Sequence, residues 1–288
     1  MNAYDKVNER MLALLEAGTI PWQMPWESVK AHNPFTGTIY RGINAMMLPS
    51  GQAYATYNQL AENGVSVKKG CHGFAIVYAG FTDKKDKTTK APIVNSKGKV
   101  EQAFFWKYSV VFAQTDWVMD NPSARVLRIL ELSKKAATRN RPTVEVAEKI
   151  INITHNKTAT GEGAYYRPST DTVNVPPASS FKSQEAYYST YFHELGHWTG
   201  HKSRLDRLEP ATFGSEKYGK EELVAELNAS YLNDIAGISG TTENNSASYL
   251  ENWIKAIKGD SKLLLNAFSP AKKATEYITR LAGIKVED

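Results

Sequence analysis

The chain has 288 residues, enough for two domains of ordinary size, and 42% of them are hydrophobic, which can fill two cores. A single cysteine, Cys71, excludes an intrachain disulfide and indicates a reducing compartment, so we expect a cytoplasmic protein. No run approaches the roughly 18 apolar residues that a membrane span needs, and no membrane partner is expected. The net charge of +5 is modest and is shared by both halves of the chain.

The first part of the chain mixes helical and extended patterns and is predicted to form an α+β domain over residues 1–120, with a mostly antiparallel sheet. An amphipathic helix is predicted at residues 1–15 and a short helix at residues 54–62. Strands are predicted at residues 73–78 and 103–112. The polar, lysine-rich residues 84–99 between the strands are expected to be a mobile connection.

Aromatic side chains with nearby cations recur along this first domain. Sequence-tolerant binding of single-stranded nucleic acid needs aromatic faces for stacking and Lys or Arg for phosphates. Most aromatic residues belong to a core instead, but prolines hold Trp22 and Trp26 in an irregular segment where indoles are hard to bury. The residues predicted to contact DNA are Trp22, Trp26, Tyr40, Arg41, Tyr54, Tyr57, Lys68, Lys69, Trp106 and Lys107.

Residues 121–142 form a basic segment that is predicted to be a linker with a helix. Its six cations are accompanied by one carboxylate, Glu131. Such a run is either a solvated helix or, less often, a stripe that contacts phosphates. The cations are Arg125, Arg128, Lys134, Lys135, Arg139 and Arg141.

The last part, residues 143–288, is predicted to be a second domain. A helix at residues 144–151 precedes a strand pair at residues 165–176, which turns at residues 168–171. Helices are predicted at residues 182–199, 220–237, 246–258 and 271–281.

A five-residue run in the helix predicted at 182–199 has the spacing of a metal site: His193-Glu194-Leu195-Gly196-His197. Residues four apart fall on one face of a helix, so the imidazoles of His193 and His197 can bind one metal ion. Glu194 is rotated about a quarter turn from His193, which suits a general base for metal-assisted hydrolysis. The alternative is a solvated helix with two unrelated histidines.

A site of this kind needs a third protein ligand, and three residues are candidates. His201 lies just beyond the histidine pair, but Gly200 is expected to end the helix before it in a left-handed cap. Glu222 and Glu226 lie one turn apart on the same face of the next predicted helix, which is where zinc sites with two histidines and a glutamate find their third ligand. We favour Glu222, with Glu226 as the close alternative. The other carboxylate would then orient a ligand histidine.

In addition, a metal site of this type holds extended substrate by backbone pairing with an edge strand that precedes the metal helix. Val173-Asn174-Val175 is the predicted substrate strand. His201 or Tyr218 would stabilise the oxyanion of a hydrolysed peptide. Two histidines and a glutamate favour Zn²⁺, with Mn²⁺ as the alternative.

These motifs together resemble the ArdC family of antirestriction proteins, whose N-terminal domain also occurs in TraC-type primases. The resemblance rests on the run from His193 to Arg207, on the glutamates before Glu226, and on the Tyr40-Arg41-Gly42-Ile43-Asn44 motif. It implies an N-terminal single-stranded DNA-binding domain and a C-terminal zincin-like metallopeptidase domain. It also implies that the protein is encoded on a mobile element and shields entering DNA from the host's restriction enzymes. Cys71-His72 and Met24 depart from the family's pattern.

The leading hypothesis is therefore an antirestriction protein that binds single-stranded DNA and has a zinc peptidase site whose general base is Glu194. Its expected partners are single-stranded DNA and a host restriction protein or another protein substrate. One alternative is a DNA-coating shield with a structural or vestigial metal site. Another is a metallopeptidase whose N-terminal domain recruits protein substrates.

Overall fold

The structure is a computed structural model that describes residues 2–23, 29–96, 98–138, 144–154, 163–209, 216–238 and 247–285. The first half contains α1 (Ala3–Glu16), α2 (Ile43–Met47), β1 (Tyr54–Ala55), α3 (Tyr57–Glu62), β2 (Ser66–Val67), β3 (Phe74–Asp83), β4 (Gln102–Ala113) and β5 (Trp117–Val118). The second half contains α4 (Ala124–Ala137), α5 (Val144–Ile151), β6 (Tyr165–Arg167), β7 (Thr172–Asn174), α6 (Gln184–Thr199), α7 (Glu216–Ala236), α8 (Ala247–Gly259) and α9 (Leu263–Leu281). The fold is α+β with antiparallel sheets, as predicted.

A long hairpin dominates the first half. β3 and β4 pair over ten residues each, from Phe74 opposite Val111 to Asp83 opposite Gln102, and β1 adds a third strand beside β4. Isolated bridges continue the pairing into residues 84–99. The described residues of this segment are thus joined by backbone bridges, while the mobility of the connection stays a prediction.

Two predicted helices have different bounds in the structure. The helix predicted at 54–62 begins only at Tyr57, because Thr56 caps it reciprocally with Gln59 and the preceding residues pair with β4 as a strand. The last helix was predicted from Ala271, yet α9 begins at Leu263 and passes through Pro270. Packing of its buried face stabilises a helix that the proline alone would interrupt.

Helix α1 joins the two halves of the chain through a shared hydrophobic core. Its buried face, which includes Val7 and Met11, lies in one cluster with Leu223 and Leu227 of α7 and with side chains of α8 and α9. The ring of Trp22 also meets the edge of Trp253 in α8, with 5.3 Å between centroids. The domain bounds 1–120, 121–142 and 143–288 stay predictions, but the regions on either side of them pack as one unit.

Buried hydrogen bonds fix α6, α7 and α9 against one another. The side chain of Asn228 in α7 donates to the carbonyl of Phe192 in α6 at 2.9 Å and accepts from Thr275 of α9 at 3.0 Å. Asn233 of α7 donates to Ser189 of α6 at 2.9 Å. Because buried polar groups are costly unless they are paired, these bonds select one register between the helices.

No helix in the described ranges has both the length and the apolar character that crossing a bilayer requires.

Substitution of Met11 by alanine is expected to destabilise both halves together. Met11 is fully buried in the shared core, so its truncation should lower the free energy of unfolding by about 2–5 kcal/mol. We expect one urea transition at a lower midpoint, followed by tryptophan fluorescence and by far-UV circular dichroism. Two separated transitions would contradict a shared core.

Candidate metal centre

The centre forms where α6 comes closest to α7. A Cβ atom on Gly196 would lie 2.8 Å from Cα and 3.2 Å from Cβ of Ala225, so no larger residue fits between the helices there. Gly196 stands between the two histidines, and Ala225 follows Glu222 by one turn of α7. The close approach therefore places the histidine face of α6 against the glutamate face of α7.

Three predicted ligands converge at this contact. Nε2 of His193 lies 3.5 Å from one carboxylate oxygen of Glu222, and Nε2 of His197 lies 3.5 Å from the other. The two Nε2 atoms are 3.2 Å apart. One donor atom from each residue lies within 4.8 Å of the others, which is a ligand set for one cation.

Glu226 and Glu221 lie on the far side of the two rings. The carboxylate of Glu226 is 3.8 Å from Nδ1 of His193, and the carboxylate of Glu221 is 3.3 Å from Nδ1 of His197. A carboxylate at Nδ1 favours the tautomer whose Nε2 is free to bind metal. The geometry thus separates the two glutamates that the sequence left open, with Glu222 among the ligand atoms and Glu226 behind His193.

Arg207 fixes the carboxylate behind His197, and the sequence patterns did not single out this role for either residue. Its guanidinium donates two hydrogen bonds of 2.8 Å to Glu221. It also donates to the carbonyl of Gly196 at 2.8 Å and to the hydroxyl of Thr199 at 3.2 Å. Arg207 therefore holds Glu221 and the end of α6 in one geometry.

The charges of the site match a cation. Burial opposes the charged form of His193, but its hydrogen bond with Glu222 and the charges of Glu226 and Glu194 raise its pKa to about 9. Burial likewise opposes ionisation of Glu222, yet the bond with His193 and the charge of His197 lower its pKa to about 2. Carboxylates in excess of the two imidazoles favour a bound positive charge, so the donor set fits a divalent metal ion.

Glu194 is buried beside these ligands. Burial raises the pKa of this carboxyl above its usual range, while the nearby histidines oppose the shift. The backbone of Tyr166 in β6 also opposes this rise in pKa. The carboxyl thus lies buried between the metal helix and the strand beside it.

The site opens into a cleft of about 820 Å³. One wall consists of Ala164, Tyr165 and Tyr166, so β6 is the strand at the cleft. The predicted substrate strand, residues 173–175, was therefore wrong: these residues are buried in the core behind β6. Arg204 holds the β6–β7 hairpin to the end of α6 by donating to Asp171 and to the hydroxyl of Tyr166.

The two predicted oxyanion residues lie in different places. Tyr218 lines the cleft, and its hydroxyl forms a hydrogen bond with the carboxylate of Glu222. His201 accepts or donates at Nδ1 with the hydroxyl of Ser203 at 2.8 Å and is not among the cleft-lining residues that the structure describes. The cleft role predicted for His201 is therefore not supported by its position.

Gly200 follows the last residue of α6, but not in the left-handed conformation that was predicted for it. Its φ of −75° is right-handed, so no left-handed cap is present. A Cβ atom there would lie 2.8 Å from Leu208 and 3.0 Å from the guanidinium of Arg207. The glycine therefore allows the returning loop, and with it Arg207, to pack against the end of the helix.

Burial separates the residues predicted to contact DNA. Trp22, Tyr40 and Tyr54 are buried in cores, which argues against the stacking role predicted for them, and Trp26 lies outside the described residues. Tyr57, Arg41, Lys68, Lys69 and Lys107 are exposed, although the ammonium of Lys68 donates to the carbonyl of Thr115 at 2.7 Å. Trp106 is half-buried and lies on the opposite face of β4 from Lys107, because side chains alternate along a strand.

The Gly196→Ala variant is expected to weaken metal binding about tenfold or more, because the backbone of Ala225 cannot yield and the helices must separate. Isothermal titration with Zn²⁺ measures this directly. Gly219→Ala is the matched control, since it adds the same methyl group on α7 where nothing lies within 4 Å. Equal affinities in both variants would contradict the role of the close approach.

Replacement of Arg207 by methionine should also weaken metal binding, by about 10- to 100-fold, because Glu221 loses the partner that aims it at His197. The exposed Lys202→Met change removes one positive charge near the same loop and serves as control. A competition titration against a chromogenic zinc chelator gives both affinities. If Arg207→Met binds zinc as tightly as Lys202→Met, the positioning role is wrong.

Two family models match consecutive parts of the chain. Residues 1–112 match the N-terminal domain of the anti-restriction factor ArdC, and residues 145–270 match a zincin-like metallopeptidase domain. The chain is 37% and 38% identical to two DNA primases TraC of Escherichia coli over 99% of its own length, but it spans only 20% and 28% of those relatives. It is 29% identical to the uncharacterized protein y4eC of Sinorhizobium fredii, covering 96% of this chain and 91% of that protein.

The fold is also that of a solved antirestriction protein. The metal-free crystal structure of ArdC from the R388 plasmid superposes with a TM-score of 0.72 and 29% identity, covering 99% of this chain and 100% of that one. The Mn(II)-bound structure of the same protein gives a TM-score of 0.69 with 28% identity and 98% coverage of each chain. With both domain models in order and the whole fold shared, this chain joins an ArdC N-terminal domain to a zincin-like metallopeptidase domain in the architecture of the R388 protein.

Proposed function

We propose that this protein is an antirestriction factor that binds single-stranded DNA through its N-terminal region and hydrolyses peptide bonds at a metal site in its zincin-like domain. The observation that carries the enzymatic part is the convergence of His193, His197 and Glu222 within 4.8 Å, beside the buried carboxyl of Glu194. A purely structural metal site has no use for a carboxyl in that place.

His193, His197 and Glu222 would hold the ion. When bound, a divalent ion such as Zn²⁺ would lower the pKa of a coordinated water and polarise the scissile carbonyl. The two imidazoles and one carboxylate suit Zn²⁺, and Mn²⁺ is the alternative, supported by the Mn(II) in the R388 relative.

The protein's own groups would move the proton and orient the peptide. Glu194 would take a proton from the attacking water and return it to the leaving amine. β6 lies along the cleft, where its backbone could pair with an extended peptide. Tyr218 would stabilise the oxyanion once its hydroxyl leaves Glu222, a further part of the proposal that its cleft position supports.

The DNA-binding part of the proposal is supported by the family of the N-terminal region and by the primases among the relatives. Sequence-tolerant binding should depend on phosphate contacts, so affinity for oligo-dT should fall as salt rises. Salt-insensitive binding of peptides without any binding of oligo-dT would instead favour a metallopeptidase whose N-terminal region recruits protein substrates.

Two substitutions separate the metal from the general base. His193→Ala should lose both metal and hydrolysis, whereas Glu194→Gln should keep the metal and lose about a hundredfold or more in hydrolysis rate. Metal content is measured by atomic emission and hydrolysis by cleavage of a quenched fluorescent peptide library. Full activity of Glu194→Gln would overturn the enzymatic proposal.

The same Glu194→Gln variant distinguishes a protease from a DNA-coating shield. We expect it to lose protection of incoming DNA in a cell-based restriction assay while its metal content and oligo-dT affinity stay unchanged. If wild type and variant protect DNA equally, protection comes from DNA coating, and the metal site has only an auxiliary role.

A further inference from the structure

We propose that the hairpin formed by β3 and β4 is the platform for single-stranded DNA, with Phe81, Phe104 and Trp106 as its stacking rings. This inference rests on the proposed DNA-binding function and assigns that function to a surface. None of the buried aromatic residues of the N-terminal region can provide such a surface without unfolding a core.

The strand register puts the three rings on one face. Phe81 lies directly opposite Phe104, and Trp106 lies opposite Ala79, two residues along the same strands. Because residues two apart on a strand share a face, the rings form one row. Ring centroids are 5.5 Å apart between Phe81 and Phe104 and 5.6 Å apart between Phe104 and Trp106.

The outer two rings are unusually exposed for phenylalanine. Phe81 is 66% and Phe104 is 51% exposed, whereas Trp106 is half-buried where the hairpin meets the body of the protein. The contacts between the rings are edge-to-face, with interplanar angles of 68° and 86°. Two exposed phenyl rings with no polar atoms suit a partner that itself offers flat, apolar faces.

Charge identifies that partner as a nucleic acid. Residues 74–113 contain seven lysines and three acidic residues, so this hairpin carries +4 of the chain's net charge of +5. Among the described lysines, Lys84 is paired with Glu101 at 3.0 Å, and those at the tip and on β4 are exposed. Aromatic rings on a strongly basic hairpin match the bases and the phosphates of a nucleic acid. A duplex hides its base faces inside the helix, so the match is to a single strand.

The base of the hairpin is anchored, so the row is presented by a fixed arm. The side-chain amide of Asn44 in α2 donates to the carbonyl of Val77 and accepts from its N–H, both at 2.8 Å. At the same end, β1 pairs with the last residues of β4. Preorganised rings lose little freedom when bases stack on them, which favours binding.

The test uses the full chain with Phe81→Leu and Phe104→Leu, which keep an apolar side chain but remove the ring. Fluorescence anisotropy with labelled oligo-dT should show about tenfold weaker binding for each variant, with the salt dependence unchanged. Phe104→Trp should retain wild-type affinity. Because these residues are exposed, thermal unfolding should be unaffected, which separates lost stacking from lost folding.

Tyr78→Leu is the matched control, since Tyr78 is 49% exposed on the opposite face of the same hairpin. We expect it to bind oligo-dT like the wild type.

If the phenylalanine variants bind as tightly as the control, the platform assignment is wrong while DNA binding stands. If these variants dissociate a dimer in sedimentation without changing DNA affinity, the row is an interface with a second copy and the assignment is also wrong. Failure of the wild type to bind oligo-dT at low salt would overturn the proposed function itself.

Discussion

The contact between Gly196 of α6 and Ala225 of α7 is the constraint on which the metal centre depends. The absence of a side chain at position 196 lets the backbones meet, and the asparagine bonds of α7 hold them in one register. His193 and His197 lie on either side of that contact, facing Glu222 across it. Ligands from two helices can serve one ion only when the distance between those helices is fixed to a fraction of an ångström.

The carboxylates around this contact lie on both sides of the histidine rings. The carboxylate of Glu222 lies among the ligand atoms, and Glu221 and Glu226 lie behind the histidines. The loop that follows α6 returns Arg207 to Glu221, and Gly200 leaves room for it. The orientation of His197 thus depends on Arg207, a residue outside the ligand set, which is why a positioning effect is expected there.

Local patterns predicted the histidine pair well because the spacing of His193 and His197 depends only on helix geometry. Glu222 and Glu226 could not be separated in this way, since both lie on one face and the rotation of α7 against α6 decides between them. The pairing of Arg207 with Glu221 joins a loop to a helix, and only tertiary structure reveals it. The run of adjacent glutamates was nevertheless a signal that more than one carboxylate would face the site.

Burial argues against part of the DNA-binding prediction, because residue type alone does not decide which aromatic side chains fill a core. Trp22 and Tyr54 have the residue types of a stacking surface, yet they fill cores because α1 and β4 cover them. The first strand was predicted to end at residue 78, before Phe81, so the pairing of Phe81 with Phe104 on the proposed platform was not foreseen. Continued alternation past that point, together with the lysines that follow, was the available signal for a protruding hairpin.

An anomalous difference map from crystals soaked with Zn²⁺, recorded at the zinc edge, tests the central claim most directly. The account predicts one strong peak within coordination distance of both Nε2 atoms and of the carboxylate of Glu222, with Glu226 and Glu221 remaining at Nδ1 of their histidines. A peak coordinated by Glu226 in place of Glu222, or no peak between α6 and α7, would contradict it.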